Sequence, residues 1–233
     1  MEILTQVPQR VLAIYAHPDD ADVSCGGTLA KWSSLDSEVE LIVCASGEKG
    51  SVNVSLNEHD LIEIRKDEVN IAARHLGVNA VTFLQIPDGE VSNDLSLRRI
   101  LVNKIRNFQP EVVIAPDPTA IFFGDHYYNH RDHRETGWAA LDAVAPAASS
   151  PLYFQEEGAP HQVSSILLSG TLEPSIFVDI TASIEEKEKA IRSHISQLGE
   201  SSEWLRSVVR ERAQEAGDVA GLLFAEGFRR VRF

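Results

Sequence analysis

Two short runs of residues able to hold a metal ion or move protons dominate this sequence. They are His17-Pro18-Asp19-Asp20 and, 113 to 116 residues further on, His130-Arg131-Asp132-His133. Imidazole nitrogens and carboxylate oxygens are common zinc donors, and a catalytic zinc takes three protein ligands while leaving a fourth position for water. A carboxylate left over from the ligand set can act as base toward a water whose pKa the ion lowers to about 7. Together the runs predict a divided metal site for amide hydrolysis without a side-chain nucleophile. Taken singly, each also reads as ordinary structure: a Pro-Asp surface turn for the first, a solvated helix start for the second.

Both runs follow apolar segments with strand character, Val11-Leu12-Ala13-Ile14-Tyr15 and Val112-Val113-Ile114-Ala115-Pro116. Open α/β sheets build their sites at the carboxyl ends of strands, which is where these residues would fall. Strand patterns recur near 10–16, 38–45, 80–85, 111–116, 164–169 and 175–180, with helical spacing between most of them, so the sheet is expected to be mostly parallel. The first helix is expected to begin near Gly26 and a second to span 57–76, carrying Leu61, Ile64, Val69, Ala72 and Leu76 and stopping at Gly77. A third covers 96–108 and a fourth runs from about Arg134 to about Ala143. A long loop follows Pro146 to about residue 162, and Ile184 to Leu198 and Ser202 to Ala216 read as charged amphipathic helices.

These residues resemble the N-acetylglucosaminylphosphatidylinositol deacetylase and LmbE-like superfamily of zinc-dependent N-deacetylases, and the resemblance covers nearly the whole chain. Other pieces fall in the expected order: Gly26-Gly27, Ser46-Gly47-Glu48-Lys49-Gly50, Arg65 and Glu68, Pro87-Asp88-Gly89, and His194-x-Ser196-Gln197. The resemblance implies a single Rossmann-like α/β domain over 1–233, with helices on both faces of the sheet. It makes His17, Asp20 and His133 the zinc ligands and Asp19 the general base. By the same likeness His130 stabilises the oxyanion or protonates the departing amine, and Tyr128 assists at the carbonyl oxygen. Asp132 orients His130 or a ligand imidazole. Arg65 and Asp88 match positions that hold sugar hydroxyls, and Glu48 is a further candidate for reaching substrate. The implied reaction removes an acyl group from an N-acetylglucosamine-type amino sugar. A metal amidase acting on a larger thiol-sugar conjugate and a non-catalytic carbohydrate-binding relative are the alternatives. Iron is an alternative metal, because two imidazoles and a carboxylate also suit non-haem Fe(II). Relatives form trimers or hexamers, which makes a homo-oligomer an expectation. Two positions depart from the family pattern: Ala21-Asp22 follows the first motif where Glu is usual, and Arg131 replaces a proline in the second.

Composition narrows the setting. The chain has 233 residues, 43% hydrophobic and 24% charged, enough for one substantial α/β core. A formal charge of −14 argues against nucleic acid or an anionic membrane as main partner and leaves a small-molecule substrate. No apolar run is long enough to span a bilayer, and Met1 to Thr5 lacks the pattern of a signal peptide, so a cytoplasmic protein is expected. Cys25 and Cys44 read as buried free thiols. The sequence contains no Gly-x-Ser-x-Gly elbow, no Walker-type loop and no Gly-x-Gly-x-x-Gly after the first strand.

Overall fold

Near-continuous apolar runs make the central strands, and amphipathic segments between them make the helices, in a computed structural model that describes residues 2–50, 57–198 and 203–233. In chain order the first half comprises β1 (Glu2–Ile3), β2 (Arg10–Tyr15), α1 (Asp20–Ser34), β3 (Glu38–Ala45), α2 (Glu58–Leu76), β4 (Ala80–Ile86), α3 (Leu95–Phe108) and β5 (Val112–Pro116). A short ribbon, β6 (Phe122–Phe123) and β7 (Tyr127–Tyr128), leads into α4 (Arg131–Asp142). The remainder is β8 (Ser165–Ser169), β9 (Ile176–Asp179), α5 (Ile184–Arg192), α6 (Ile195–Leu198), α7 (Glu203–Ala220) and β10 (Ala225–Arg232). Ser202, expected at the start of α7, lies outside the described residues.

The strands form one sheet in the order β1-β9-β10-β8-β5-β2-β3-β4. From β8 to β4 every pairing is parallel, while β10 runs antiparallel to both β8 and β9. The sheet is therefore mostly parallel and covered on both faces. Val11, Ala13 and Tyr15 of β2 join a core with α1, α2 and α5, whereas Leu12 and Ile14 join α3 and α4 on the other side. Cys25 and Cys44 are buried and unpaired.

Helix α1 begins at Asp20 instead of Gly26. The Asp20 carboxylate accepts the His17 backbone N–H at 2.7 Å, and Asp20 and Asp22 place negative charge in the first turn, where it favours helix initiation. The glycines serve packing instead: a Cβ on Gly27 would lie 2.7 Å from Ile180 Cδ1. Helix α4 likewise starts earlier than expected, at Arg131, because the His130 ring accepts the Asp132 backbone N–H and caps it. The interior strand β10 was not anticipated, since Glu226, Arg229, Arg230 and Arg232 hide its strand character. Asn57 and Gly77 bound α2 as its spacing predicts, the former by accepting from the Asp60 N–H and the latter through φ of 69°.

One buried cation shapes the loop after α4. Arg106, 3% exposed, donates to the carbonyls of Ala147, Ala148, Ser150, Tyr153, Phe154 and Gly158 at 2.7–3.2 Å.

Candidate metal and deacylation site

The carboxyl ends of β2, β3, β4 and β5 lie side by side, so the segments that leave them meet above the sheet. His17 to Asp20 follow β2, Glu48 follows β3, Asp88 follows β4, and the ribbon to His133 follows β5. The sequence separation between the two motifs is thereby closed. His17 Nδ1 lies 3.1 Å from His133 Nε2 and 3.4 Å from Asp20 Oδ2, and His133 Nε2 lies 3.1 Å from Asp20 Oδ1. The donor atoms of His17, Asp20 and His133 all fall within 4.8 Å of one another.

The chain fixes which nitrogen of each imidazole carries a proton. The Asn129 side chain donates to Ala120 O at 2.8 Å, which turns its Oδ1 to His133 Nδ1 at 2.9 Å. His133 Nδ1 must then be the protonated nitrogen, leaving the Nε2 lone pair facing Asp20 and His17. His17 Nε2 faces the carboxylates of Asp88 and Asp132 at 3.3 and 3.4 Å, so its proton belongs there and Nδ1 is the donor atom. At His130 the Asp132 backbone N–H occupies Nδ1 at 3.2 Å, and the proton sits on Nε2. Two lone pairs and a carboxylate thus converge, and the residues fit a divalent cation. Asn129, only 6% exposed, was not singled out by the sequence reading; it stands just before the N-cap of α4, and a lone Asn there carries no pattern of its own.

Electrostatics agree with a cation site. Burial alone would lower the His17 imidazole, yet Asp132 and Asp20 outweigh it and hold its pKa up at about 12. His133 is also raised: burial opposes the charge but the Asp20 carboxylate prevails. Asp20, despite burial, is held well below the usual carboxylate range by His133 and His17. Burial and the neighbouring His17 push His130 the other way, below its ordinary value.

The remaining expected residues take defined places. Asp19 is the N-cap of α1, but its carboxylate makes no capping hydrogen bond. Its charge supports Arg65 and His133. Asp132 is fully buried, accepting from Gly89 N at 2.7 Å and facing His17, so among the imidazoles it holds a carboxylate to His17 and a backbone N–H to His130. Glu48 Oε1 accepts the Asp88 N–H at 2.9 Å, and Lys49 donates to Asp88 O at 2.6 Å, so the β3 loop fixes the β4 loop. Arg131, one of the departures from the family pattern, donates to Gly89 O and Val91 O and pins the same loop. Arg65 is 3% exposed beneath Gly47 and Gly50; a Cβ on Gly50 would lie 2.6 Å from its guanidinium.

The other departure, Ala21-Asp22, is resolved by burial. Asp22 pairs with His194 at 2.5 Å, and Glu68 accepts from both the N–H and hydroxyl of Ser196, so the His194-x-Ser196 segment is tied beneath α1 and α2. On the ribbon, Tyr128 accepts a hydrogen bond from Arg134. Burial raises the phenol of its neighbour Tyr127 and the Asp20 charge adds to it, against the His130 backbone N–H and the His17 charge. Asp125 and His126 pair with each other at 2.7 Å in solvent.

Residues 12–144 match the family model described as PIG-L: GlcNAc-PI de-N-acetylase. A diacetylchitobiose deacetylase from Thermococcus kodakarensis is 31% identical over 96% of this chain and 83% of its own length. A 1D-myo-inositol 2-acetamido-2-deoxy-alpha-D-glucopyranoside deacetylase from Saccharopolyspora erythraea is 30% identical over 73% of this chain and 68% of its own. The solved N,N'-diacetylchitobiose deacetylase of Pyrococcus horikoshii superposes with a TM-score of 0.88 at 34% identity, covering 97% of this chain and 84% of that one.

Proposed function

The chain belongs to the GlcNAc-PI de-N-acetylase (PIG-L) family and is an N-deacetylase, and from that premise we propose that it hydrolyses the acetamide of a small N-acetylated amino sugar with a divalent metal, zinc in the first instance. The observation that carries this reading is the convergence of His17 Nδ1, His133 Nε2 and the Asp20 carboxylate, with both imidazole lone pairs turned inward. His17, Asp20 and His133 would hold the metal, which when bound supplies Lewis acidity toward water and the acyl oxygen. Fe(II) satisfies the same donor set.

Asp19 is the base in this scheme: its carboxylate, unused by the helix it caps, takes the proton of the attacking water. His130 presents a protonated Nε2 because its other nitrogen is occupied by the Asp132 N–H. The Nε2–H of His130 stabilises the developing oxyanion, and the proton that Asp19 takes from water is the one passed to the departing amine. Tyr128 assists at the acyl oxygen by family resemblance, and Tyr127 shares the ribbon beside it. Asp88 meets sugar hydroxyls, while Glu48 and Arg65 contribute through the loops they brace. The whole chain is read as one deacetylase domain. Among the described residues, no helix is long and apolar enough to cross a membrane.

The direct test is acetate release from N-acetylglucosamine and N,N'-diacetylchitobiose. Activity is expected to vanish with a chelator, return with zinc, and be absent in His133→Ala. Acetate release indifferent to both chelator and His133→Ala would overturn the proposal.

Metal uptake also has a sign in pH. Without metal, His17 and His133 have pKa values above 6.5, so their interactions stabilise the fold fully below about pH 6.5, and the His17 share is lost as pH rises through about 12. Metal ligation requires both rings to be neutral, so binding at pH 7 should release protons, that of His17 among them, and weaken as pH falls. Calorimetry in buffers of different ionisation enthalpy counts them; a count of zero contradicts the assignment.

A further inference from the structure

Resting on the metal reading above, we infer that Asn129 is a positioning residue that sets metal affinity by holding His133 in its Nδ1–H tautomer. Asn129 has two hydrogen-bonding ends, and the fold uses both. Its Nδ2 donates to Ala120 O at 2.8 Å and its Oδ1 accepts from His133 Nδ1 at 2.9 Å. The amide cannot be turned round without setting its NH2 against the imidazole and its oxygen against a carbonyl, so the first contact dictates the second. Its backbone N–H is also committed, to Ile121 O at 2.8 Å. Burial at 6% exposure leaves little water to substitute for any of these. With Nδ1–H held, it is Nε2 of His133 that gives up its proton to an incoming metal, and the lone pair so freed points at Asp20 and His17. Without the acceptor, the ring is free to adopt the other tautomer, which points a proton at the metal position, or to rotate away.

The contact to Ala120 also closes the ribbon β6–β7, so a loss of affinity on mutation could arise from the ribbon alone. Two variants separate these roles. Asn129→Asp keeps an acceptor for His133 and loses the donor to Ala120, whereas Asn129→Leu loses both at similar volume. Zinc affinity, measured by competition with a chromophoric chelator, is expected to fall roughly 10- to 100-fold in Asn129→Leu and to stay near wild type in Asn129→Asp, the range seen when an outer partner of a ligand histidine is removed. Affinity unchanged in Asn129→Leu overturns the inference. So does an equal fall in both variants, which would assign the effect to the ribbon. A wild-type chain that takes up no zinc overturns the metal reading itself and the inference with it. Thermal unfolding of the metal-free variants reports on folding independently of zinc.

Discussion

Replacing Asp19 with Ala is expected to lower deacetylation by roughly 10²- to 10⁴-fold while leaving the bound metal per chain unchanged. The expectation separates two carboxylates adjacent in sequence. Asp20 is engaged with His133 and His17 and receives the His17 backbone N–H, so its loss should remove the metal. Asp19 makes no side-chain capping bond and lies outside the converging donor set, so its loss should remove only a proton acceptor. Steady-state kinetics beside elemental analysis of the same preparation reads both. Near-normal turnover in Asp19→Ala would remove it from the base role, and a parallel loss of metal would make it a ligand.

The largest expected effect on stability lies away from the site. Arg106→Met keeps the apolar stem but removes the guanidinium that serves six backbone carbonyls. Hydrogen bonds to a charged group contribute more than neutral ones, and several of these carbonyls are buried and would be left without a donor. The loss is expected at about 3–5 kcal/mol, the range for breaking a buried charged network. Urea unfolding should show a lower midpoint at similar slope. A change below about 1 kcal/mol would mean that water readily replaces the arginine. Arg106→Lys should rescue little, since one ammonium cannot reach carbonyls spread around a planar fork.

The apolar runs that identified β2, β3, β5 and β8 are a local signal, because strands buried on both faces are apolar almost throughout. The candidate site motifs were legible for a related reason: His and Asp adjacent to such strands are residues the core does not need. Helix starts were harder. Gly26-Gly27 suggested an onset, but the glycines admit Ile180, a residue whose proximity depends on the fold. Asn129 was passed over because a single Asn carries no pattern; its meaning lies in Ala120 and His133, which only the tertiary structure brings to it. Asp22 was similarly recognisable as a departure from the family, but its partner His194 is 172 residues away. Strand β10 was invisible because its charged residues mimic a surface segment, although Ala225 and Phe228 are buried.

The antiparallel insertion of β10 between β8 and β9 has a consequence for how the molecule comes into being. The parallel block from β8 to β4 uses residues 38–169 together with β2, and can assemble as those residues leave the ribosome. Its β8 flank, carrying Ile166, Leu167 and Leu168, then stands as an open sheet edge until residues 225–232 are synthesised. Unpaired apolar edges invite association with other chains. Nascent chains of this protein therefore pass through a window, roughly 60 residues long at about 5–20 residues per second, in which one apolar strand edge awaits its partner.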